Sequence, residues 1–265
     1  MGKYGSVYIG TSGWSYSWDA FYPPGWPANK RLQFFSRCFS TTEVNSTFYH
    51  LPRISTVEKW RDDTPKAFVF ALKLNRVITH LKRLCDIRDP LREFLSRAVI
   101  LGPKQGPLLV QLPPTLALDV SGLRDFLGEV NGLSRELRIP FPRLALETRH
   151  PSWYGFSDEY YEMMALLKTF QVAFVFAHSS RYPYPQGEPI TAGFVYLRFH
   201  GPNELFASKY EDGFLANTAE KIKAWREAGL DIYVYFNNDV HGYAVENAMT
   251  LQEMVNPGKR SIPSG

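Results

Sequence analysis

Short apolar runs alternate with longer amphipathic stretches along the 265 residues of the chain. Alternating β and α elements favour a parallel sheet, because parallel neighbours need crossover connections. Eight such runs predict a (β/α)₈ TIM-type barrel, and an open doubly wound sheet is the alternative. No G-x-G-x-x-G motif follows the first run to support that alternative. The eight runs are residues 6–12, 41–46, 67–74, 107–114, 143–149, 172–178, 194–200 and 232–238.

Helical periodicity covers residues 30–39, 88–100, 121–137, 158–170, 219–228 and 244–255. The stretch "SSRYPYPQGEPITAG" (179–193) is too rich in Pro and Gly for a regular helix. We therefore expect an irregular connection between strands six and seven. No linker divides the chain, so residues 1–265 are expected to form a single barrel domain.

Side chains alternate between the two faces of a strand, and in a barrel one face fills the interior. In strand two this places Val44 toward the helices and the flanking Glu43 and Asn45 inside. Each predicted interior face becomes polar or charged at its C-terminal end, where barrel enzymes place their active sites. The direction of His178 in strand six is left open. The residues expected to converge at this mouth are Glu43, Asn45, Lys73, Gln111, Glu147, Arg149, Arg198, His200 and Asn237.

Composition narrows the function classes only slightly. A net charge of +4 is compatible with an anionic ligand but equally with an ordinary solvated surface. Two distant cysteines, Cys38 and Cys85, make a disulfide framework or a structural zinc site improbable. Without a long apolar run or a signal-like N-terminus, the expectation is a cytoplasmic protein with no membrane contact and no obligate protein partner.

Six ordered motifs carry a family resemblance: "IGTSGWSY", "EVNSTFY", "QLPP", "ETRHPSW", "YLRFHG" and "YVYFNND". Together they resemble the domain of unknown function 72, the YecE-like family, over essentially the whole chain. The resemblance implies a TIM-type barrel but does not imply a particular reaction. Barrels of this family look similar to endonuclease IV and xylose-isomerase-like barrels, which suggests nucleic-acid or sugar-phosphate chemistry by fold analogy.

Two glutamates supply the candidate acid–base chemistry. Glu147 is the predicted acid–base residue, and Glu43 and Asn45 are expected to assist or position the substrate. Burial of two carboxyls side by side would raise the pKa of one of them. The alternative is a salt-bridge network that closes the top of the barrel.

Cationic side chains at the same mouth favour an anionic group. We expect Lys73, Arg149, Arg198 and His200 to hold that group, and Gln111 and Asn237 to fix its orientation. A Schiff-base role for Lys73 is the alternative, but two nearby glutamates would keep its amine charged. Pairing of either arginine with a glutamate is as plausible as ligand binding.

No cofactor or tightly bound metal is expected. The histidines show no H-E-x-x-H or similar spacing. Glu147, His200 and Glu43 could ligate a divalent ion, but Lys73, Arg149 and Arg198 would crowd it with like charge.

Aromatic residues follow several strands and border the predicted mouth. Trp14, Tyr49 and Trp153 are the candidates for stacking on a sugar or base, while Trp18 and Phe48 are expected to pack beneath the loops.

The sequence as a whole predicts an enzyme acting on a phosphorylated or sugar-containing substrate, a hydrolase first and an isomerase or lyase second. The alternative is a non-catalytic nucleic-acid-binding barrel. That alternative needs a basic track outside the mouth, for which the candidates are Lys30, Arg31, Arg76, Lys82 and Arg83.

Overall fold

Parallel strands alternate with helices throughout the computed structural model, which describes residues 4–258. Residues 1–3 and 259–265 of the predicted single domain lie outside the described residues. The strands are β1 (Val7–Thr11), β2 (Thr41–Val44), β3 (Val69–Lys73), β4 (Gln105–Gln111), β5 (Leu144–Glu147), β6 (Ala173–Phe174), β7 (Phe176–His178), β8 (Phe194–Phe199) and β9 (Asp231–Phe236). The α-helices are α1 (Arg31–Cys38), α2 (Ser46–Tyr49), α3 (Ile54–Asp62), α4 (Arg88–Ala98), α5 (Val120–Glu136), α6 (Asp158–Thr169), α7 (Asp212–Glu227) and α8 (Tyr243–Val255).

The strands form two parallel sheets, in the orders β1-β9-β8-β7 and β2-β3-β4-β5-β6. Strands β6 and β7 together occupy the sixth barrel position, interrupted at Val175, whose N–H still donates to the Leu146 carbonyl at 2.9 Å. The eight predicted strand positions and the TIM-type α/β fold are therefore confirmed.

The other seam between the two sheets lies between β1 and β2. Within residues 4–258 no backbone ladder joins these strands, but Thr42 Oγ1 donates to the Thr11 carbonyl at 3.0 Å. A Cβ at Gly10 would lie 2.2 Å from the Thr41 carbonyl oxygen. Glycine is thus required here so that the two backbones can approach closely.

Alternation along the strands separates two apolar clusters. The outer one faces the helices and includes Val44, Phe70 and Leu146; the inner one fills the barrel. In the inner cluster, Ala71 and Ala145 from β3 and β5 share the interior with large tyrosines from β8 and β9. Small and large side chains together fill a tapering interior. The predicted facing of these strands is confirmed.

Strand six follows the same alternation, which settles the direction of His178. Val172, Phe174 and Phe176 belong to the outer cluster, so His178 lies on the outer face as well. Its Nδ1 is 3.0 Å from the Tyr210 hydroxyl, and its ring also contacts Phe214 of α7. His178 is therefore outside the barrel mouth.

The connection from β7 to β8 contains no helix between residues 179 and 193, as predicted. Thr191 takes over part of the strand bonding there, because its Oγ1 accepts the Phe174 N–H at 2.9 Å and donates to the Val172 carbonyl at 2.6 Å. Helices α2 and α3 were not predicted, and α7 begins seven residues earlier than its periodicity suggests. Among the described helices, none combines the length and apolarity needed to cross a membrane.

Candidate functional site at the barrel mouth

Charged side chains meet at the C-terminal ends of the strands. Because all the barrel strands run parallel, their C-terminal ends share one edge. The side chains of Glu43, Glu147, Arg149, Arg198, His200 and Asn237 are joined there by a continuous chain of contacts, and we call these six residues the mouth cluster. Lys73 lies on the same edge but outside this chain of contacts.

Glu43 is the deepest member of the mouth cluster and is fully buried. Its Oε1 accepts from Ser12 Oγ and Arg198 Nη2, each at 2.7 Å. Its Oε2 accepts from the Tyr196 hydroxyl at 2.7 Å and from Arg198 Nε at 3.0 Å. Although burial opposes ionisation, Arg198 and the hydroxyl donors hold the pKa of Glu43 below its ordinary value. Four donors and complete burial place Glu43 in a salt-bridge network of the kind weighed as the alternative, and an assisting role at the substrate stays a prediction.

Arg198 is the centre of the cluster. Its Nε and Nη2 bind Glu43, while its Nη1 donates to Glu147 Oε2 and lies 3.3 Å from His200 Nε2. The side chain is 1% exposed. The two carboxylates bind all three guanidinium nitrogens of Arg198, which is the salt-bridge pairing weighed as the alternative. An anion-holding role for Arg198 stays a prediction.

Glu147 is buried between two arginines. Its Oε1 accepts from Arg149 Nε at 2.8 Å, and Arg149 Nη2 lies at the same distance. Burial opposes ionisation, but Arg198 and then Arg149 hold the pKa of Glu147 well below its ordinary value. A general acid at neutral pH needs a raised pKa, so this arrangement does not favour an acid role for Glu147. The predicted acid–base role stays a prediction.

Arg149 lies nearer the solvent than the rest of the cluster, with its side chain 13% exposed. The guanidinium stacks 4.5 Å from the centre of the Tyr182 ring. Arg149 Nη1 makes no hydrogen bond with any of the described residues 4–258. Arg149 therefore keeps one donor group for a ligand while its other nitrogens bind Glu147.

Lys73 presents a half-buried amine at the end of β3. Its Nζ lies 4.1 Å from the centre of the Phe48 ring, and no carboxylate in the described part of the chain forms an ion pair with it. Burial lowers the pKa of Lys73 to about 7, with Arg198 adding to that effect, and Glu147 and Glu43 offset it only partly. The two glutamates therefore hold the charge on this amine less strongly than expected, because both are already paired with arginines.

His200 and Asn237 complete the cluster from β8 and β9. His200 Nδ1 lies 3.0 Å from the Asn237 amide nitrogen, and Nε2 lies 3.9 Å from Glu147 Oε1. Burial, followed by the charge of Arg198, lowers the pKa of His200 to about 4. The imidazole is therefore neutral and enclosed at pH 7, which does not favour a cationic role, and its binding of an anion stays a prediction.

The two remaining amides occupy different environments. Gln111 is buried, and its Nε2 donates to the Leu112 carbonyl at 2.9 Å, so its amide is engaged with its own strand. Asn45 is half-buried and directly follows β2, and its Oδ1 has no hydrogen-bond partner among residues 4–258. Asn45 thus carries a buried acceptor without a described partner at the junction of β2 and α2.

Two of the three predicted stacking aromatics pack against other parts of the chain. Trp153 is buried, and its Nε1 donates to the Leu116 carbonyl at 2.8 Å. The Trp14 ring is half-buried and packs edge-on against Trp60 of α3 and the outward-facing Phe70. These contacts favour packing for both rings, and their stacking on a ligand stays a prediction. Tyr49 is 58% exposed and keeps a ring accessible to a ligand.

Four residues of the site were not assigned from the sequence. Tyr196 lies on the interior face of β8, and Ser12 directly follows β1. Their hydroxyls become significant only once the position of Glu43 is known. Phe48 was expected to serve only as packing, and it instead lies beneath the Lys73 amine. Tyr182 belongs to the irregular 179–193 segment, where no periodicity indicates its direction.

A metal site needs several donor side chains placed around one point. Across residues 4–258, no three His, Cys, Asp or Glu side chains are grouped so as to hold a metal ion. The absence of a bound metal in the working protein remains a prediction.

A TIM-type barrel with a charged, arginine-rich mouth is the class of protein that these features define. The chain belongs to the family described as "Protein of unknown function DUF72", whose model matches residues 8–264. It is 26% identical over 281 aligned residues to the UPF0759 protein YunF of Bacillus subtilis, with 94% of each chain covered. It is 31% identical over 156 residues to the UPF0759 protein YecE of Escherichia coli, which is 58% of this chain and 52% of YecE. The match thus spans about half the length of YecE.

Solved structures agree with the fold. A DUF72 family protein from Thermotoga maritima superposes with a TM-score of 0.79 at 24% identity, covering 94% of this chain and 99% of that one. A sugar phosphate isomerase/epimerase from Parabacteroides distasonis superposes with a TM-score of 0.54 at 11% identity, covering 96% and 95%. At these identities the likeness shows the fold alone.

Proposed function

We propose that this protein is an enzyme that binds a small anionic substrate, phosphorylated or sugar-containing, at the barrel mouth. The observation that carries the proposal is the position of Lys73, whose amine faces the mouth cluster without an ion-pair partner among residues 4–258. Lys73 and Arg149 would contact the anionic group, and Tyr49 and Tyr182 would border the bound molecule.

The balance of charge supports an anionic ligand. Within the mouth cluster, the carboxylates of Glu43 and Glu147 are matched by the guanidiniums of Arg149 and Arg198. Lys73 adds a cation that this balance leaves uncompensated, and His200 is neutral at pH 7. Because an uncompensated cation at a half-buried position is costly, a bound anion would offset part of that cost.

The same geometry changes the order of the candidate reactions. Glycoside hydrolysis commonly needs a carboxylic acid that remains protonated near neutral pH. Glu43 and Glu147 both have lowered pKa values, so neither suits that role. We therefore place isomerase or lyase chemistry ahead of hydrolysis. The fold shared with a sugar phosphate isomerase/epimerase is compatible with this order.

Direct binding measurements test the proposal. We would titrate the full chain with inorganic phosphate and glycerol 3-phosphate by isothermal calorimetry at pH 7. Lys73→Met and Arg149→Met should each weaken binding about tenfold, as expected for the loss of about 1.4 kcal/mol from a charged contact. The matched control is Arg124→Met, which removes an exposed arginine that pairs with Glu162 on the helical surface. Equal affinity in all four proteins would refute the assignment of the anion site.

An exposed basic segment favours one alternative function, nucleic-acid binding. Arg76, Lys82 and Arg83 follow β3 and are exposed beside the end of the strand that carries Lys73. Arg83 also donates to the Thr115 carbonyl at 2.8 Å, and Arg31 is engaged with the Ser15 carbonyl at 2.6 Å and with the Tyr22 ring. If this function is correct, single-stranded DNA should bind at low salt, and affinity should fall steeply with salt concentration. The triple change of Arg76, Lys82 and Arg83 to Ser should remove that binding and its salt dependence.

A further inference from the structure

We infer that Lys73 is a nucleophile that forms a Schiff base with an aldehyde or ketone carried by an anionic substrate. The inference rests on the proposed function and makes it more specific, because it names both the bond that forms and the class of substrate. It assigns Lys73 as a catalytic residue and leaves the arginine-bound glutamates as a supporting network.

The position of the amine carries the inference. Lys73 ends β3, a strand held on both sides by β2 and β4, and its carbonyl accepts from Thr47 Oγ1 at 2.7 Å. Its Nζ lies 4.1 Å over the centre of the Phe48 ring, a cation–π contact, and not within a carboxylate pair. The ring face alone favours the charged amine. A rigid backbone and removal from solvent are what a nucleophilic lysine requires, since desolvation favours the neutral amine.

Another lysine shows what a purely structural role looks like in this chain. Lys104 is buried, and its Nζ donates to the Arg61 and Thr64 carbonyls and to Thr64 Oγ1. Three acceptors satisfy the three N–H groups of an ammonium. Lys73 makes no such bonds with the described residues, so its nitrogen lone pair becomes accessible once the proton leaves.

The charges around Lys73 agree with this role. Burial and Arg198 lower the pKa of Lys73 to about 7, Arg149 acts in the same direction, and Glu147 and Glu43 act against it. The neutral fraction at pH 7 is then about a thousandfold larger than that of an ordinary lysine with a pKa of about 10.4.

The covalent step balances without an oxidant, a reductant or a metal. The Nζ lone pair attacks the carbonyl carbon, the C=O π electrons move to oxygen, and the proton lost by nitrogen is taken up by that oxygen through solvent. The resulting carbinolamine expels its hydroxyl with one more proton as water, and the nitrogen lone pair forms C=N. One imine and one water are formed from one amine and one carbonyl.

The neighbouring groups define the substrate class. Arg149 offers a hydrogen-bond donor, Nη1, to a phosphate or carboxylate. Asn45 follows Val44, which pairs with Leu72, so Asn45 comes directly after β2 next to the strand end that carries Lys73. An oxo acid or a phosphorylated ketose or aldose fits this arrangement.

Reductive trapping with matched pairs of ligands tests the inference. We would incubate the full chain with dihydroxyacetone phosphate or glyoxylate at pH 7.5, add sodium cyanoborohydride, and locate adducts by intact mass and peptide mapping. Glycerol 3-phosphate and glycolate are the partners that lack the carbonyl, and calorimetry measures their binding. The variants are Lys73→Met and Lys73→Arg, with the exposed Lys168→Met on α6 as the control. Thermal unfolding confirms that each variant is folded.

The expected result is one reduced adduct per wild-type chain, at Lys73, with at least about ten times the occupancy of any other lysine, Lys104 included. That adduct should persist in Lys168→Met and disappear in both Lys73 variants. Binding of glycerol 3-phosphate or glycolate without any Lys73 adduct would overturn the Schiff base and leave the anion site intact. Absence of binding by both carbonyl-free anions would refute the proposed function, and the Schiff base with it.

Discussion

Arg198 holds Glu43 through a two-pronged contact that is sealed from solvent on both sides. Nη2 and Nε of the arginine donate to the two carboxylate oxygens at 2.7 and 3.0 Å, and neither side chain is more than 1% exposed. Such a pair is weak evidence of stability in itself, since desolvation of both ions offsets their attraction. Removal of only one member of the pair, however, leaves the other charge buried with fewer hydrogen-bond partners.

Glu43→Gln is therefore expected to destabilise the protein by about 3 kcal/mol, because Arg198 loses one of its two carboxylate partners inside the barrel. The free energy of unfolding in urea at pH 7 measures this loss. The control is Glu162→Gln, which breaks an exposed pair with Arg124 at 2.7 Å and should cost less than about 1 kcal/mol. Comparable losses in the two variants would show that the Glu43 pair is not structural.

Acid should destabilise the fold through the mouth cluster. The pKa values of Glu43 and Glu147 are lowered in the folded state, so the unfolded chain binds more protons between those values and the ordinary value of about 4.3. Their stabilising contribution is present above that ordinary value and is lost as the pH falls through the folded pKa values. Urea unfolding between pH 4.5 and 3 should show a shallower fall in stability for Glu147→Gln than for wild type. Parallel slopes would contradict the pairing of Glu147 with the two arginines.

Much of the fold was predictable because alternation is a local property of each strand. Val44 between Glu43 and Asn45 sufficed to place two polar side chains inside and one apolar side chain outside. The salt-bridge pairings were not predictable. Alternation indicates which face of a strand a side chain lies on, but not how far the side chain reaches into the barrel. Arg198 reaches two carboxylates from β8, and that reach depends on the packing of strands far apart in sequence. The environments of Trp14 and Trp153 depend in the same way on helix α3 and on the loop that contains Leu116.

Trp153 and Tyr49 together test which aromatic side chains border the binding site. Trp153→Phe removes the indole N–H that donates to the Leu116 carbonyl, so it should destabilise the fold by about 1–3 kcal/mol. Because the ring is buried beneath the loop, the affinity for glycerol 3-phosphate should remain within about twofold of wild type, or about 0.4 kcal/mol. The exposed Tyr49→Ala should show the opposite pattern, with weaker binding and little change in stability. Chemical denaturation and calorimetry on both variants check the two patterns.

Lys73 should oppose folding at neutral pH, as is usual for a group placed for function and not for stability. Its pKa is about 7 in the folded state, whereas an unfolded lysine has a pKa of about 10.4. Between these values the unfolded chain binds more protons than the folded chain, so stability rises with pH across that window. Lys73→Met removes the cost of burying the charge and should stabilise the protein at pH 6 by roughly 2–4 kcal/mol, allowing for partial solvent access. The gain should shrink steadily as the pH approaches 10. Urea unfolding at pH 6, 8 and 9.5, with Lys168→Met as the exposed control, measures it. A gain independent of pH would show that Lys73 retains an ordinary pKa, and its neutral amine would then be too scarce at pH 7 to act as a nucleophile.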